Sequence, residues 1–388
     1  MASYRMNSFA KYLDRSKYQV TVVSLEHTGR ATENIEFDDV NVYREPYNSF
    51  FRIRQQKRGD AKLKHKLYAL NNKLISRFFT EDYPGWSESV VLRLKKIHKA
   101  QSIDLLISSY APVDAHLAAF AFRKEYSNVK WIADMRDEMS QNPFLSVRSK
   151  SRLYDLEKKI SEYIDALTTV SAPILEGFKT IMSNDRILFQ EIRNGFDHEL
   201  QPVGNFNPEF TFLYAGTFYG KRKPDTLFAA ISELLAEGHL KDFKIELAGT
   251  HRNFSVPKEL ESHLEFLPHL TNAEAVERMM LADSNLLIHP PMGVKGVYTG
   301  KLFEYLSTGK PVLALVDTED VAADLIREVN GGEVVDFYDR DAIKSAILTI
   351  YQNWEKQTLP KMKWDIIRQL HRRKQVELLE EVINKLTK

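Results

Sequence analysis

Cysteine is absent from this chain of 388 residues. The absence excludes disulfide bridges, thiolate nucleophiles and cysteine-ligated metal sites, and it fits a reducing compartment. The sequence also lacks an uninterrupted run of about 18 apolar residues, so it predicts no membrane-spanning helix. The N-terminus has no apolar stretch of the length that a signal peptide needs. We therefore expect a cytoplasmic protein.

Neither sign of charge dominates the chain. Lys and Arg number 54 against 53 Asp and Glu, a net charge of +1, which argues against a general nucleic-acid-binding protein. Hydrophobic residues make up 43%, as in an ordinary globular protein. At about 100–200 residues per domain, the length predicts two or three domains.

Short β-branched runs alternate with helical patterns along almost the whole chain, which is typical of parallel sheets covered by helices. Turn-forming residues at about 195–208 separate two such series. Strands are predicted at 19–23, 104–107, 130–133 and 166–170 in the first series, and at 210–214, 243–247, 285–288 and 311–315 in the second. Helices are predicted near 224–237, 272–282 and 301–308. We predict an α/β protein with domains over 1–197 and 198–363 and a single terminal helix over 364–388.

The sharpest local signal lies within 293–313. Thr299 can cap a helix that starts at Gly300, and Gly309 can end that helix before a buried strand. A glycine-bearing loop that enters a helix N-terminus favours phosphate, because free backbone N–H groups and the helix dipole attract anions. The Glu304 carboxylate, one turn further, could accept hydrogen bonds from sugar hydroxyls. A surface helix with a glycine cap is the alternative, and spacing alone does not decide between them.

Three consecutive cations, Lys221, Arg222 and Lys223, follow a predicted strand and a glycine turn. Cations before a helix can neutralise a pyrophosphate leaving group without a metal. A solvated basic loop is the alternative interpretation.

Charged residues also follow a strand of the first domain. Asp134, Arg136 and Asp137 come after the run 130–133, at the strand end where open α/β sheets bind ligands. His116 begins a helix after another strand and could face the same crevice. The alternatives are an Asp–Arg pair that orders the loop and a histidine without a catalytic role.

A basic amphipathic stretch occupies residues 52–78. It has nine Lys and Arg and one acid, Asp60. Its apolar residues recur at helical spacing: Leu63, Leu67, Leu70, Leu74 and Phe78. Such a helix suits an anionic membrane surface, and a core-facing helix with a solvated basic face is the alternative.

Taken together, these segments resemble the nucleotide-sugar glycosyltransferases of family four, of the bacterial surface-polysaccharide type. The similar segments occur in order at 8–13, 134–137, 193–197, 216–219 and 300–306. The resemblance implies the GT-B architecture, two Rossmann-like domains facing across a cleft, with a terminal helix that returns to the first domain. It also implies retention of the anomeric configuration, no metal, and no cofactor beyond the nucleoside diphosphate sugar as co-substrate.

The same resemblance implies roles for single residues. Arg222, Lys223 and the loop at Thr299 and Gly300 would hold the donor diphosphate, and Glu304 would hold the ribose. The other residues of the implied donor site are Gly216, Thr217 and Lys301, with Leu267 and His269 beside the base, after a further predicted strand at 264–266. The implied acceptor and catalytic side consists of His116, Asp134, Arg136 and Asp137.

Two departures from the family pattern stand out. Many members begin with a strand and a glycine-rich loop, whereas residues 1–5 look like the tail of that loop, so we expect the first domain to lack its first strand. Many relatives also carry a glutamate eight residues before the one that matches Glu304, and that position is Gly296 here.

The implied activity is retaining transfer of a sugar from a nucleoside diphosphate to a glycan or lipid-linked glycan. We expect it in the cytoplasm, peripherally on the inner face of the membrane, without nucleic acid as a partner. One alternative is a nucleotide-sugar 2-epimerase of the same fold, although no paired carboxylates demand it. Another is a non-catalytic partner that only binds a nucleotide sugar.

Overall fold

The computed structural model describes residues 2–26, 39–48, 62–200, 204–268 and 270–388. The chain forms two compact units. The first comprises Met1–Arg193 and Gln375–Lys388, and the second comprises Asn194–Lys374. The chain therefore passes from one unit to the other twice, at 193–194 and at 374–375.

The described strands of the first unit form two parallel sheets. β1 (Thr21–Leu25) pairs with β2 (Asn41–Glu45). The other four lie in sequential order, β3 (Leu105–Tyr110), β4 (Lys130–Met135), β5 (Ala166–Thr169) and β6 (Leu188–Glu191). The predicted strands at 104–107, 130–133 and 166–170 are confirmed, and the one at 19–23 begins two residues later. Strands β2 and β6, which are short and only partly buried, were not predicted from the sequence.

The helices of the first unit connect and cover these strands. They are α1 (Ala2–Tyr12), α2 (Lys62–Phe78), α3 (Trp86–Ala100), α4 (Asp114–Glu125), α5 (Val147–Ile160) and α6 (Ala172–Met182). Strand β4 is buried from Trp131 to Met135, because it is central in its sheet and helices cover it. Burial of both faces of a strand is typical of a parallel sheet that helices cover.

The second unit contains one parallel sheet of six strands in the order β12-β11-β10-β7-β8-β9. The strands are β7 (Phe210–Ala215), β8 (Phe243–Ala248), β9 (Leu264–Leu267), β10 (Ser284–Ile288), β11 (Val312–Val316) and β12 (Gly332–Asp336). All the strands predicted for this unit are confirmed, and β12 is additional. Its helices are α7 (Asp225–Ala236), α8 (Asn272–Leu281), α9 (Gly300–Ser307), α10 (Val321–Glu328), α11 (Arg340–Glu355) and α12 (Trp364–Gln369). Two apolar cores cover the two faces of the sheet.

The predicted single terminal helix is wrong, because the structure breaks it in two. α12 ends at Gln369 and α13 (Arg372–Thr387) begins after Leu370 and His371. Residues from Val376 onward in α13 pack against Phe9 and Ile132, within the first unit. The α/β class with two Rossmann-like units is confirmed. Across the described ranges, no helix combines the length and the apolarity needed to cross a membrane.

Candidate functional site

The candidate site lies at the carboxyl edge of the sheet in the second unit. β7 and β10 are adjacent parallel strands, so the residues that follow them emerge at the same edge, where ligands bind in sheets of this type. Gly216 follows β7 and His289 follows β10. The loop after His289 leads to the N-terminus of α9, which returns to this edge.

Arg222 is held at this edge by His289. The guanidinium has no acceptor, so its Nη2 donates to His289 Nδ1, and the imidazole proton is on Nε2. Burial, reinforced by the Arg222 charge, lowers the pKa of His289 to about 4. His289 is therefore a neutral acceptor at pH 7, and it fixes the position of a permanent positive charge.

A second cation, Lys301, lies in the first turn of α9. The missing side chain of Gly216 makes room for it, since a Cβ there would lie 2.3 Å from Lys301 Nζ. The ammonium also lies 5.9 Å from the centroid of the Tyr214 ring. Burial is the main reason that the pKa of Lys301 falls to about 8. Gly216 therefore contributes to the site because its lack of a side chain lets Lys301 come close to the backbone. The family resemblance implied a role for Gly216, whereas residue spacing alone did not show it.

The N-terminus of α9 contains an unused polar atom. The prediction that the helix starts at Gly300 is confirmed, with Thr299 at the capping position. The Thr299 side chain makes no capping hydrogen bond, and its buried Oγ1 has no partner among the described residues. A buried hydroxyl without a partner is costly, so this atom is suited to receive a ligand.

Glu304 lies on the same helix, half-buried. Burial raises the pKa of its carboxyl, while the charges of Arg372 and Lys301 oppose that rise. The carboxylate can therefore accept hydrogen bonds from hydroxyl groups in a place that is partly shielded from water.

The glycine loop before α9 is fastened by a carboxylate. Asp320 Oδ1 accepts from the backbone N–H of Gly296 at 2.6 Å and from that of Val321 at 2.8 Å. Gly296 has a φ of 93°, a conformation that favours glycine. A glutamate at this position would strain the loop, which is a physical reason for the departure from the family pattern.

The remaining residues of the predicted donor set lie in different surroundings. Thr217 is exposed and donates to the Gly249 carbonyl at 3.1 Å. Lys223 is exposed. Leu267 ends β9 and packs in the apolar core. His269 lies outside the described residues.

In the first unit, the structure places Asp134 inside the protein. It is fully buried and accepts from Arg5 Nη2 at 2.7 Å, from Thr168 Oγ1 at 2.7 Å and from Ser109 Oγ at 2.8 Å. The prediction that Asp134 lines a ligand crevice is wrong for this structure. Its bonds instead fasten α1, through Arg5, to strands β3, β4 and β5.

His116 is also fully buried. Its Nδ1 lies 2.7 Å from Ser108 Oγ, and its Nε2 lies 3.1 Å from Met135 Sδ. Burial lowers its pKa to about 4, so the ring is neutral at pH 7. The expectation that His116 faces the crevice is therefore wrong, because both ring nitrogens are used within the core.

Arg136 and Asp137 lie after β4 and are partly exposed. Arg136 Nη2 donates to Asp137 Oδ2 at 2.5 Å. This is the loop-ordering pair that the sequence left open as the alternative. Of the four residues predicted on the acceptor side, these two are the ones that reach the surface.

Comparison with known protein families finds a match within the second unit. The family model described as "Glycosyl transferases group 1" matches residues 209–353, the part of the chain that contains Gly216, Arg222, Lys301 and Glu304. The second unit contains a group 1 glycosyltransferase domain. The resemblance found in the sequence is thereby confirmed for residues 209–353. A search of curated protein sequences found no match.

Solved structures of glycosyltransferases share the fold. The apo form of WaaB, a galactosyltransferase of the lipopolysaccharide outer core, aligns with a TM-score of 0.56 at 13% identity, covering 94% of this chain and 99% of that one. TarM aligns with a TM-score of 0.52 at 14% identity, covering 79% of this chain and 59% of that one. The kitacinnamycin glycosyltransferase aligns with a TM-score of 0.50 at 13% identity, covering 95% and 99%.

Two residues of the candidate site were missed in the sequence. His289 is the first polar residue after the buried strand β10, and that position was the available signal. Asp320 caps α10 and accepts from Gly296, a contact between residues 24 apart. An aspartate before a helix signals a cap, but its second partner depends on the tertiary fold.

Among the residues that the structure describes, no group of three or more His, Asp or Glu side chains is gathered as metal ligands.

Proposed function

We propose that the protein is a retaining glycosyltransferase that moves a sugar from a nucleoside diphosphate to a glycan or lipid-linked glycan. The observation that carries this proposal is the convergence of Arg222, Lys301 and the N-terminus of α9, where Thr299 Oγ1 lacks a partner among the described residues. Two cations and a helix N-terminus suit a diphosphate. Glu304 is then available for the hydroxyl groups of the ribose.

In the proposed reaction, the site must stabilise the diphosphate leaving group. In the reaction the bond from the anomeric carbon to the diphosphate breaks and a bond to an acceptor oxygen forms, while the acceptor hydroxyl gives up its proton. Negative charge grows on the departing diphosphate oxygen. Fixed cations at that place stabilise the transition state more than the bound donor, so we assign this role to Arg222 and Lys301 without a metal.

The acceptor is assigned to the first unit, as the family resemblance implies. Arg136 and Asp137 are partly exposed polar residues at the end of β4, and they support this assignment. Asp134 and His116 have structural roles in this proposal, because their polar atoms are used within the core.

A panel of UDP-, GDP- and dTDP-sugars tests the function, with and without a lipid-linked glycan acceptor. We expect one donor series to release its nucleoside diphosphate only when acceptor is present, with the transferred sugar keeping its anomeric configuration by NMR. Conversion of the nucleotide sugar without acceptor would instead support a 2-epimerase. Binding without either reaction would support a non-catalytic partner.

The low pKa of Lys301 predicts that nucleotide affinity falls at alkaline pH, which gives the pH profile an alkaline limb. Its folded pKa of about 8 means that Lys301 loses its charge as the pH rises through that value. The affinity for a nucleoside diphosphate should then fall about tenfold, the usual worth of one charge-assisted hydrogen bond. Calorimetry across this pH range measures the limb.

Two variants control this pH measurement. Lys301→Arg should remove the limb, because arginine stays charged. Lys244→Arg should keep it, since Lys244 pairs with Glu246 on β8. A limb that persists in Lys301→Arg would contradict the assignment.

We further propose that α2 contacts the anionic inner face of the cell membrane, where a lipid-linked acceptor would reside. Of the basic stretch 52–78, residues 52–61 lie outside the described residues. Four apolar residues share one face of α2 and are 46–63% exposed: Leu67, Leu70, Leu74 and Phe78. Such exposure argues against the core-facing alternative. Lys66, Lys73 and Arg77 are exposed on the same helix, so its charge complements anionic headgroups.

Flotation with phosphatidylglycerol vesicles tests the membrane contact. The triple variant Leu70→Ser, Leu74→Ser, Phe78→Ser should bind at least about tenfold more weakly, because each side chain loses apolar area that the membrane would bury. Leu92→Ser is the matched control, since Leu92 is 62% exposed on α3. Equal flotation of the triple variant and the wild type would contradict the contact.

A further inference from the structure

Two buried hydroxyl groups lie at the start of α6 in the first unit. Ser171 holds the capping position of this helix, and its side chain makes no capping hydrogen bond. Ser171 Oγ and Thr169 Oγ1 have no hydrogen-bond partner among the residues that the structure describes, and both residues are fully buried. Because an unpaired buried hydroxyl is costly, these two atoms are suited to receive a ligand.

The Thr169 hydroxyl belongs to the face of β5 that α6 covers. On the opposite face, Thr168 Oγ1 donates to Asp134 Oδ1 at 2.7 Å. Successive side chains of a strand alternate between its two faces, so Thr169 shares a face with Leu167. Leu167 packs in the same apolar cluster as Ile174 of α6. Thr169 Oγ1 therefore points into the layer that contains this helix.

The first turn of α6 adds backbone donors at the same place. The N–H of Leu175 donates to the Ser171 carbonyl at 3.0 Å, whereas the N–H groups that precede it in a helix have no acceptor within that helix. In α6 these earlier donors belong to Ala172 and Ile174, because Pro173 has no N–H. Ala172 and Pro173 are exposed, so the start of the helix reaches the surface. Such a helix N-terminus attracts an anion.

The strands on either side of β5 bring cations to this edge of the sheet. Arg136 follows β4 and Arg193 follows β6, and β5 lies between these two strands. Both side chains are partly exposed and pair with a carboxylate, Arg136 with Asp137 and Arg193 with Glu191. The guanidinium geometry suits phosphate. Each neighbouring strand therefore supplies one phosphate-compatible group.

We propose that Thr169, Ser171 and the N-terminus of α6 bind a phosphate group of the acceptor, within the diphosphate that joins a lipid to its glycan. This inference rests on the proposed function, in which the first unit binds the acceptor. The two hydroxyls and the helix N–H groups donate to the phosphate oxygens. A lipid-linked glycan fits this site because a neutral free glycan brings no anion to it.

Calorimetry on the full chain with a lipid diphosphate tests the inference. The probes are geranyl diphosphate and geraniol, which share the lipid and differ in the phosphates. All the proteins in this comparison carry Arg222→Ala, which removes the cation of the proposed donor site. Adding Thr169→Val and Ser171→Ala together should weaken geranyl diphosphate binding at least about tenfold, because two hydrogen bonds to a charged group are lost.

A hydroxyl on the same helix provides the matched control. Thr180 Oγ1 donates to the Glu176 carbonyl at 2.9 Å and is exposed. Thr180→Val should therefore leave the affinity for geranyl diphosphate within about twofold of its parent protein. Geraniol should bind much more weakly than geranyl diphosphate to every one of these proteins.

Thermal unfolding separates ligand binding from a structural role. Each single variant removes a hydroxyl without a partner among the described residues, so the melting temperature should stay within about 2 °C of the parent or rise. A fall of several degrees in both Thr169→Val and Ser171→Ala would overturn the inference, because the hydroxyls would then hold the core together.

Lipid headgroups are another source of the same phosphate chemistry, and flotation distinguishes them. Thr169→Val with Ser171→Ala, in the otherwise wild-type chain, should float with phosphatidylglycerol vesicles as the wild type does. A loss of flotation in this variant would assign the phosphate to the membrane surface and overturn the assignment to the acceptor.

The remaining contradicting results are distinct. Equal geranyl diphosphate affinity with and without the two hydroxyls overturns this inference, as does binding of geraniol that matches the diphosphate. Neither result touches the donor panel, which tests the proposed function separately. A panel without transfer from any nucleotide sugar overturns the proposed function and leaves a phosphate site without an acceptor role.

Discussion

Replacing Arg222 by alanine should lower kcat/KM for the sugar donor by about 10²–10³-fold, the usual cost of removing one fixed group that stabilises developing charge. The guanidinium is oriented before the donor arrives, because neutral His289 accepts one of its N–H groups. An oriented cation needs little reorganisation as the diphosphate leaves. Its loss should therefore reduce kcat as well as donor affinity.

The adjacent cation provides the matched control for Arg222. Lys221 is exposed and lies outside the proposed site, so Lys221→Ala should keep activity within about twofold of the wild type, as solvated surface charges usually do. Steady-state kinetics with the preferred donor measures both variants. Wild-type kcat/KM in Arg222→Ala would show that the diphosphate binds elsewhere.

Replacing Asp134 by asparagine should destabilise the protein strongly. The carboxylate and Arg5 are both buried and bonded at 2.7 Å, so the variant leaves a buried guanidinium without its counter-charge. Breaking such a pair costs about 3–5 kcal/mol. For a domain of this size, that corresponds to a melting temperature lower by roughly 10 °C, which calorimetry or circular dichroism can measure.

Asp137→Asn is the control for this stability prediction. The Asp137 side chain is 48% exposed in its pair with Arg136, so its replacement should cost less than about 1 kcal/mol. A similar melting temperature for Asp134→Asn and Asp137→Asn would contradict the structural role of Asp134. Loss of activity in Asp134→Asn at an unchanged melting temperature would restore the catalytic interpretation.

The fold was largely predictable because parallel sheets leave a strong pattern. The buried strand β11 is a continuous apolar run, and β7 and β10 are mostly apolar. Helices α8 and α9 each follow a threonine at the capping position, which can be read directly from the sequence. Strands β2, β6 and β12 were missed because they are partly buried and carry polar residues. The break between α12 and α13 lies against Gly195, which is far from it in the sequence, so no local pattern indicated it.

The site was predictable only where a residue's role depends on its own segment. Thr299, Gly300 and Glu304 share one loop and helix, so their spacing indicated an anion site. The position of Asp134 at the end of a predicted strand suggested that it binds a ligand. The sequence does not show that Arg5 lies against its carboxylate. The role of His289 depends on its contact with Arg222, and only the tertiary structure provides that contact.

Hydrogen–deuterium exchange with UDP, GDP and dTDP would test most directly where the donor binds. We predict that one of these nucleotides slows exchange in residues 214–222 and 293–304, the two segments that carry Arg222, Thr299 and Lys301. The protection should disappear in Arg222→Ala. Protection confined to the first unit, or nucleotide binding that leaves both segments unprotected, would contradict the proposed donor site.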